Sequence, residues 1–193
     1  MSQRQLDALS QEMSNLEVCR ELRDQATQLV MGSGNPSADI VFIGEAPGKK
    51  EDAEGLPFIG ASGRFLNTML EAAGMSREDV YITNIVKYRP PNNRDPLPAE
   101  KAAFLPYLLR QLEIIKPKVV VTLGRHSMEY FLPAAKIGEV HGTPHEVLFR
   151  GQPLLVIPLF HPAAALYNGG LRQTLVDDFI KVPELISTIE KRT

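Results

Sequence analysis

Four apolar runs of the sequence each end in side chains that can do chemistry. Glu45 and His161 end two of these runs, and each can act as an acid, a base or an electrostatic partner. The other two runs end in Thr83-Asn84 and in Gly124-Arg125-His126. The carboxyl ends of parallel strands meet along one edge of a sheet, where α/β proteins bind ligands. We therefore expect these groups to share one site.

The apolar runs alternate with helical patterns, which indicates the α/β fold class. Residues 40–43, 80–86, 119–123 and 154–160 are typical of buried strands. Helical spacing occurs at about residues 62–74, 99–115, 125–134 and 171–190. This order predicts right-handed crossovers and a mainly parallel sheet with helices on both faces. Residues 145–153 predict an edge strand that turns into the last core strand.

Length and composition favour a single domain over residues 1–193, in which residues 1–31 form an amino-terminal helical cap. The chain has 193 residues, 44% of them apolar, enough for one well-buried core. No segment approaches the roughly 18 apolar residues of a membrane span, so we expect a soluble, cytoplasmic protein. The single cysteine, Cys19, cannot form an internal disulfide or by itself hold a zinc ion or an iron-sulfur cluster.

The charge balance argues against a large surface for polyanions but permits a local basic strip. The net charge is −2 and the isoelectric point is near 6.1. Six basic residues nevertheless lie in or beside the loops that follow the strands, namely Lys49, Lys50, Lys87, Arg89, Arg94 and Arg172. The long irregular loop Arg89–Pro98 is either a surface connection or an element that grips a ligand.

The segment Gly44–Lys49 follows a strand but does not match a phosphate-binding P-loop. Only three residues separate its glycines, and Lys50 stands where a P-loop has Ser or Thr. Pro47 also removes one amide donor from the loop. We interpret the turn as a rigid support that holds Glu45, Glu51 and Asp52 near the sheet edge.

Three further side chains each allow a structural and a functional interpretation. Phe58 lies between proline and two glycines, so it is either a buried plug or a platform on which a flat ring stacks. Asn84 either caps a strand end or reads the edge of a pyrimidine. His161, restrained by Pro162, is either structural or aimed into the site. The remaining histidines, His126, His141 and His145, we assign to structure or surface.

Five motifs in order resemble the family 4 uracil-DNA glycosylases. They are Gly44–Gly48 with Glu51-Asp52 after it, Leu56–Gly63, Tyr81–Lys87, Arg89–Arg94 and His161–Leu166. The resemblance runs from about residue 16 to the carboxyl end. It implies an α/β/α sandwich around a four-stranded parallel sheet, and hydrolysis of the N-glycosidic bond of deoxyuridine in DNA.

The resemblance also implies roles for individual residues. Phe58 would stack on the flipped uracil, and Asn84 would read its edge. Glu45 would position the attacking water, Glu51 would lie near the base, and His161 would donate a hydrogen bond to the uracil oxygen. Backbone groups of Gly44, Ala46 and Gly48 would complete the base pocket. Contacts to DNA would come from Lys87, Arg89, Arg94, Ala163, Leu166 and Tyr167, the last three on a loop that enters the duplex.

One feature departs from that family, whose members hold a [4Fe-4S] cluster on four cysteines. The matching positions here are Leu16, Cys19, Tyr88 and Phe104, so three of the four ligands are absent. We expect apolar side chains to fill the space, and we expect no metal and no cofactor.

The sequence therefore predicts a monomeric, monofunctional uracil-DNA glycosylase that acts on single- or double-stranded DNA. No lysine stands at a motif position that would attack the sugar, so we expect no lyase activity. Two alternatives stay open: a module that binds uracil-containing or otherwise modified DNA without turnover, and a hydrolase of free nucleotides or nucleosides. Retention of Glu45 and His161 favours catalysis.

Overall fold

The computed structural model describes residues 1–190. Within that range, six strands form one sheet, and helices precede, connect and follow them. The strands are β1 (Ser33–Gly34), β2 (Ile40–Gly44), β3 (Tyr81–Asn84), β4 (Val119–Leu123), β5 (His145–Phe149) and β6 (Gln152–Leu159). The helices are α1 (Ser2–Asn15), α2 (Arg20–Arg23), α3 (Lys49–Glu54), α4 (Ala61–Ala72), α5 (Pro98–Ile115), α6 (Arg125–Met128), α7 (Ile137–Val140), α8 (Pro162–Tyr167) and α9 (Gly169–Glu190), with a 3-10 turn at Pro91–Asn93.

The sheet has the order β1-β3-β2-β4-β6-β5, and its four central strands are parallel. The predicted α/β class is confirmed, but the sheet has six strands instead of the predicted four. Antiparallel strands extend both edges, β1 beside β3 and β5 beside β6. The edge strand expected at residues 145–153 corresponds to β5 and the turn into β6. β1 was not predicted because two residues, one of them glycine, give no strand pattern.

Alternating side chains of the strands build one apolar core on each face of the sheet. On β2, Val41 and Ile43 pack with residues of α1 and α5, whereas Phe42 packs with residues of α4 and α9. This is the two-residue alternation of a strand covered on both faces. The helices therefore form the outer layers of an α/β/α arrangement.

Several helices differ from their predicted bounds. The amino-terminal cap is interrupted, because Glu17 and Cys19 have positive φ between α1 and α2. The helix expected at residues 125–134 ends at Met128. Short helices α3, α7 and α8 were not predicted, since none is long enough to show a helical period. Among the described residues, no helix has the length and apolar character needed to cross a membrane.

Phe179 of α9 should contribute strongly to stability. Its ring is fully buried and stacks on Phe42 with centroids 5.3 Å apart. Phe179→Ala should lower the free energy of unfolding by about 3–5 kcal/mol, because a cavity replaces a buried ring. Denaturant unfolding measures this change. Ile180→Ala, at the neighbouring exposed position, should cost less than about 1 kcal/mol; equal losses would contradict the packing of α9 described here.

Candidate active site

A pocket of about 380 Å³ lies at the carboxyl edge of the parallel strands. The ends of β2, β3 and β6 meet there, as expected, and short loops and helices close its sides. The lining residues are Glu45, Ala46, Pro47, Gly48, Glu51, Phe58, Ser62, Asn84, Pro90, Asn93, Arg94, His161, Ala163 and Tyr167. The structure thus brings three of the four predicted strand ends to one pocket, whereas residues 124–126 after β4 are not among these lining residues.

The loop that carries Phe58 is held from two sides. Glu51 of α3 accepts hydrogen bonds from the amides of Ile59 and Gly60, at 2.9 and 2.7 Å. Arg77 donates to the carbonyl of Phe58 at 2.9 Å and also to that of Pro57. These contacts support a left-handed backbone at Phe58, with φ of 51°, which is uncommon for a bulky side chain. The buried carboxylate of Glu51 therefore supports the pocket wall.

Asn84 presents an unpaired acceptor to the pocket. Its side chain is 2% exposed, and Oδ1 has no hydrogen-bond partner in the structure. The parallel pairing of β2 and β3 places Gly44 opposite Asn84. A Cβ at Gly44 would come within 2.5 Å of Oδ1 and of the Phe58 ring, so only glycine fits. A buried carboxamide without a partner is costly unless a ligand supplies one.

His161 is held in one tautomer by the start of α8. The backbone amide of Ala163 donates to Nδ1 at 3.1 Å, so a neutral ring carries its proton on Nε2. Burial, reinforced by the electrostatic effect of His126, lowers the pKa of His161 to about 4. Its ring lies 5.7 Å from that of Phe58, centroid to centroid. At neutral pH His161 is therefore an uncharged hydrogen-bond donor.

Glu45 follows β2 directly and lies partly buried on the pocket wall. The amide of Val86 donates to its carbonyl at 3.0 Å, which fixes the backbone against β3. Burial raises the pKa of the Glu45 carboxyl group, and the electrostatic effect of His126 opposes that rise. The side chain thus suits a general base: its backbone is fixed, and the carboxylate is accessible from the pocket and more basic than a free carboxylate.

His126 lies beside Glu45, which our assignment of His126 to structure or surface did not predict. Its Nε2 lies 3.8 Å from Glu45 Oε2 and 3.2 Å from Asp95 Oδ2. The three side chains each offer a potential ligand atom within 4.8 Å of the others. Arg125 also donates to Asp95 Oδ2, at 3.2 Å, so a positive charge already lies at this cluster. The position of His126 after β4 was the available signal.

The prediction that Lys87 contacts DNA is wrong. Lys87 is fully buried, and its Nζ bonds Thr83 Oγ1 and the Asn84 carbonyl oxygen, both at 2.6 Å. Burial lowers its pKa well below the ordinary value, which favours an uncharged amine. The sequence shows a positive residue type, but the fold uses it as an internal donor.

Other predicted DNA-contacting residues lie at or near the pocket mouth. Arg94 lines the pocket while forming a bidentate pair with Glu100. Arg89 donates to Asn93 Oδ1 at 2.7 Å. On α8, Ala163 faces the pocket, Leu166 is 40% exposed and Tyr167 is 91% exposed. Of the other basic residues, Lys49 and Lys50 are exposed at the start of α3, and Arg172 covers the Phe65 ring.

The four positions that match cluster ligands in the resembling family do not fit an iron-sulfur cluster. Tyr88 and Phe104 are buried and pack edge to face, with centroids 6.0 Å apart. Cys19 supplies one thiol, whose pKa is raised by burial, whereas such a cluster takes four thiolates. Leu16 is 64% exposed, so the expectation that it fills the vacated space is wrong.

Comparison with known proteins agrees with the pocket geometry. The family description "Uracil DNA glycosylase superfamily" matches residues 31–182, most of the chain. This chain belongs to that superfamily. The matched range includes the pocket residues from Glu45 to Tyr167 and excludes α1 and α2.

Close relatives of this superfamily member are type-4 uracil-DNA glycosylases. The protein from Sulfurisphaera tokodaii is 45% identical, over 97% of this chain and 88% of its own length. Those from Saccharolobus solfataricus and Archaeoglobus fulgidus are 47% and 46% identical, over 95% and 93% of this chain and 87% and 92% of their own lengths. The similarity therefore covers nearly the whole of each protein.

The position of the Phe58 loop, held by Glu51 and Arg77, leaves no room for a side chain at Gly63. A Cβ at Gly63 would collide with the carbonyl group of Phe58. Gly63→Ala should therefore lower the free energy of unfolding by about 1–3 kcal/mol, as overpacking does, because backbone must shift. Gly138→Ala is the control, since a Cβ there meets open space. Unchanged stability of Gly63→Ala in denaturant unfolding would contradict the described loop position.

Proposed function

We propose that this chain hydrolyses the N-glycosidic bond of deoxyuridine in DNA, releases uracil and leaves an abasic site. The observation that carries the proposal is the unpaired Oδ1 of buried Asn84 beside the Phe58 ring. Uracil presents a flat ring, an N3–H donor and an O4 acceptor. Phe58 stacks on the ring, while Asn84 accepts from N3–H and donates to O4.

Cytosine fits the same amide poorly. It presents an acceptor at N3 and a donor at C4, so Asn84 in this orientation would face like groups at both atoms. Hydrogen-bonding sites discriminate strongly for this reason. Gly44 completes the selection, because its missing Cβ leaves room for Phe58 and Asn84 to approach each other. Backbone groups of Ala46 and Gly48 form the adjoining wall.

The chemical step follows from the two charged regions that bond cleavage creates. As the bond from C1′ to N1 breaks, positive charge develops on the sugar and negative charge on the base. Glu45 orients and polarises a water molecule, which attacks C1′ and gives a proton to the Glu45 carboxylate. The electron pair of the C1′–N1 bond leaves with uracil. Neutral His161 donates a hydrogen bond from Nε2–H to the uracil oxygen as negative charge develops on that oxygen. The proton stays on His161. Glu51 acts through the Phe58 loop it supports.

DNA reaches the pocket across the exposed end of α8. Tyr167 and Leu166 project at the mouth and enter the space left by the extruded nucleotide, while Ala163 lies beside it. Arg89 and Arg94 lie on the opposite rim and approach the phosphates, in single- or double-stranded substrate. No residue of the pocket is a lysine, which supports hydrolysis by water without a covalent intermediate or lyase step.

One assay separates this function from a non-catalytic module. The protein is incubated with a 5′-labelled oligonucleotide that contains one uracil, and the products are analysed with and without alkali. Strand breakage only after alkali is the result we expect, and breakage without alkali would indicate lyase activity. An intact oligonucleotide with shifted mobility would identify the binding module, and release of uracil from free deoxyuridine alone would identify a nucleoside hydrolase.

His161→Ala should lower the single-turnover rate by roughly two to three orders of magnitude, the loss typical of removing one donor to a developing anion. Binding to uracil-containing DNA should change much less. Both quantities are measured on the same oligonucleotide, and His145→Ala serves as the control because that side chain lies on β5 and bonds Thr143. Equal losses in affinity and rate would make His161 a ground-state contact.

We also propose that the chain folds and acts without an iron-sulfur cluster. Buried Tyr88 and Phe104 at two of the ligand positions support this. The purified protein should be colourless, contain no stoichiometric iron and keep its activity after chelation. Brown protein with visible absorbance and iron by elemental analysis would contradict the proposal.

A further inference from the structure

We propose that His126 is a positioning residue for the water-activating carboxylate: held by Asp95, it keeps Glu45 ionised and oriented. The inference rests on the role proposed for Glu45. His126 lies beside Glu45 but is not among the residues that line the pocket of about 380 Å³. It lines a separate cavity next to α5.

The geometry places one nitrogen of His126 between two carboxylates. Nε2 lies 3.8 Å from Glu45 Oε2 and 3.2 Å from Asp95 Oδ2, and the imidazole side chain is only 13% exposed. The other ring nitrogen, Nδ1, is buried without a partner. Asp95 Oδ2 can accept a hydrogen bond from an N–H at Nε2, whereas Glu45 Oε2 lies beyond hydrogen-bond distance. A charged imidazole at 3.8 Å stabilises the ionised form of Glu45 electrostatically.

His126 acts electrostatically on both groups of the proposed reaction. Its positive charge, when present, lowers the pKa of Glu45 against the effect of burial, and it helps to lower the pKa of His161. The first effect favours a carboxylate, and the second favours a neutral imidazole. These are the two protonation states that water activation and hydrogen-bond donation require.

Other charged groups face the same cluster from the packed elements. Asp95 lies in the loop before α5, and Arg125 adjoins His126 on α6, with Nε 3.4 Å from His126 Nε2. Lys101 of α5 lowers the pKa of Glu45 and pairs with Glu129 at 3.6 Å. Lys101 and Glu129 also line the shallow outer cavity that His126 closes.

A divalent cation is the competing occupant of this cluster, since Glu45, Asp95 and His126 could each supply a ligand atom. The guanidinium of Arg125 argues for a proton instead. It bonds the same Asp95 oxygen that a metal ion would use and lies against the same imidazole nitrogen.

The test is the pH dependence of the single-turnover excision rate. The active form needs ionised Glu45, so the rate falls as the pH falls through the pKa of Glu45. Removing a partner that lowers this pKa moves the acidic limb to higher pH. In His126→Phe the limb should move up by about one pH unit, the lower end of the effect of a nearby charge, with a smaller change in affinity for DNA.

Two variants make the result specific. His126→Gln keeps an N–H donor without a titratable charge, so it should restore most of the rate on the high-pH plateau while the limb stays shifted. It also replaces His126→Phe if that variant fails to fold. His145→Phe, at a partly buried histidine away from the cluster, should have the wild-type profile. An acidic limb in both His126 variants that matches the wild type would overturn the proposal.

A second readout does not depend on activity. In His126→Phe the titration of the Glu45 carboxyl group, followed by NMR, should move to higher pH, because a neighbour that lowers its pKa has been removed. If the wild-type protein excises no uracil but this shift occurs, the proposed function fails and the coupling stands. If excision occurs and the titration does not move, His126 is not electrostatically coupled to Glu45 and the proposal is wrong. Stoichiometric zinc binding by calorimetry that is lost in His126→Phe would also overturn the proposal, in favour of a metal site.

Discussion

The parallel pairing of β2 with β3 is the constraint on which the pocket depends. Its register places Gly44 opposite Asn84, and the amides of Ile85 and Val86 continue the ladder to the carbonyls of Gly44 and Glu45. The Asn84 carboxamide and the Glu45 carboxylate therefore leave the sheet from adjoining, hydrogen-bonded strand ends. A Cβ at Gly44 would collide with both Asn84 Oδ1 and the Phe58 ring. The absence of a side chain at Gly44 therefore allows these two side chains to lie next to each other.

The third member of that arrangement, Phe58, comes from a loop and needs external support. A left-handed backbone at a bulky residue costs free energy, and Glu51 and Arg77 supply compensating hydrogen bonds to the same short loop. Glu51 is thus near the base for a structural reason. The resemblance places a carboxylate there, but the hydrogen bonds show that Oε1 is already occupied by two backbone amides.

The sequence predicted the elements with long periodic patterns, and it placed Glu45, Asn84 and His161 at the edge of the sheet where the pocket lies. The central strands, α4, α5 and α9 lie close to their predicted positions because burial on two faces leaves a continuous apolar signal. Contacts between distant segments left no such signal. Asp95 reaches His126 from a proline-rich loop, and nothing local to either residue indicates that meeting. Residue type alone likewise placed Lys87 on the surface.

A buried hydrogen-bond network explains why Lys87 is buried. Its amine donates to Thr83 Oγ1 and to the Asn84 carbonyl, and Thr83 in turn donates to the carbonyl of Met31. A charged amine in this place would meet no carboxylate, so burial drives its pKa down and favours the neutral form. The amine then satisfies backbone and hydroxyl acceptors that no apolar side chain could reach. It thereby holds the backbone carbonyl of Asn84, which links this buried network to the pocket wall.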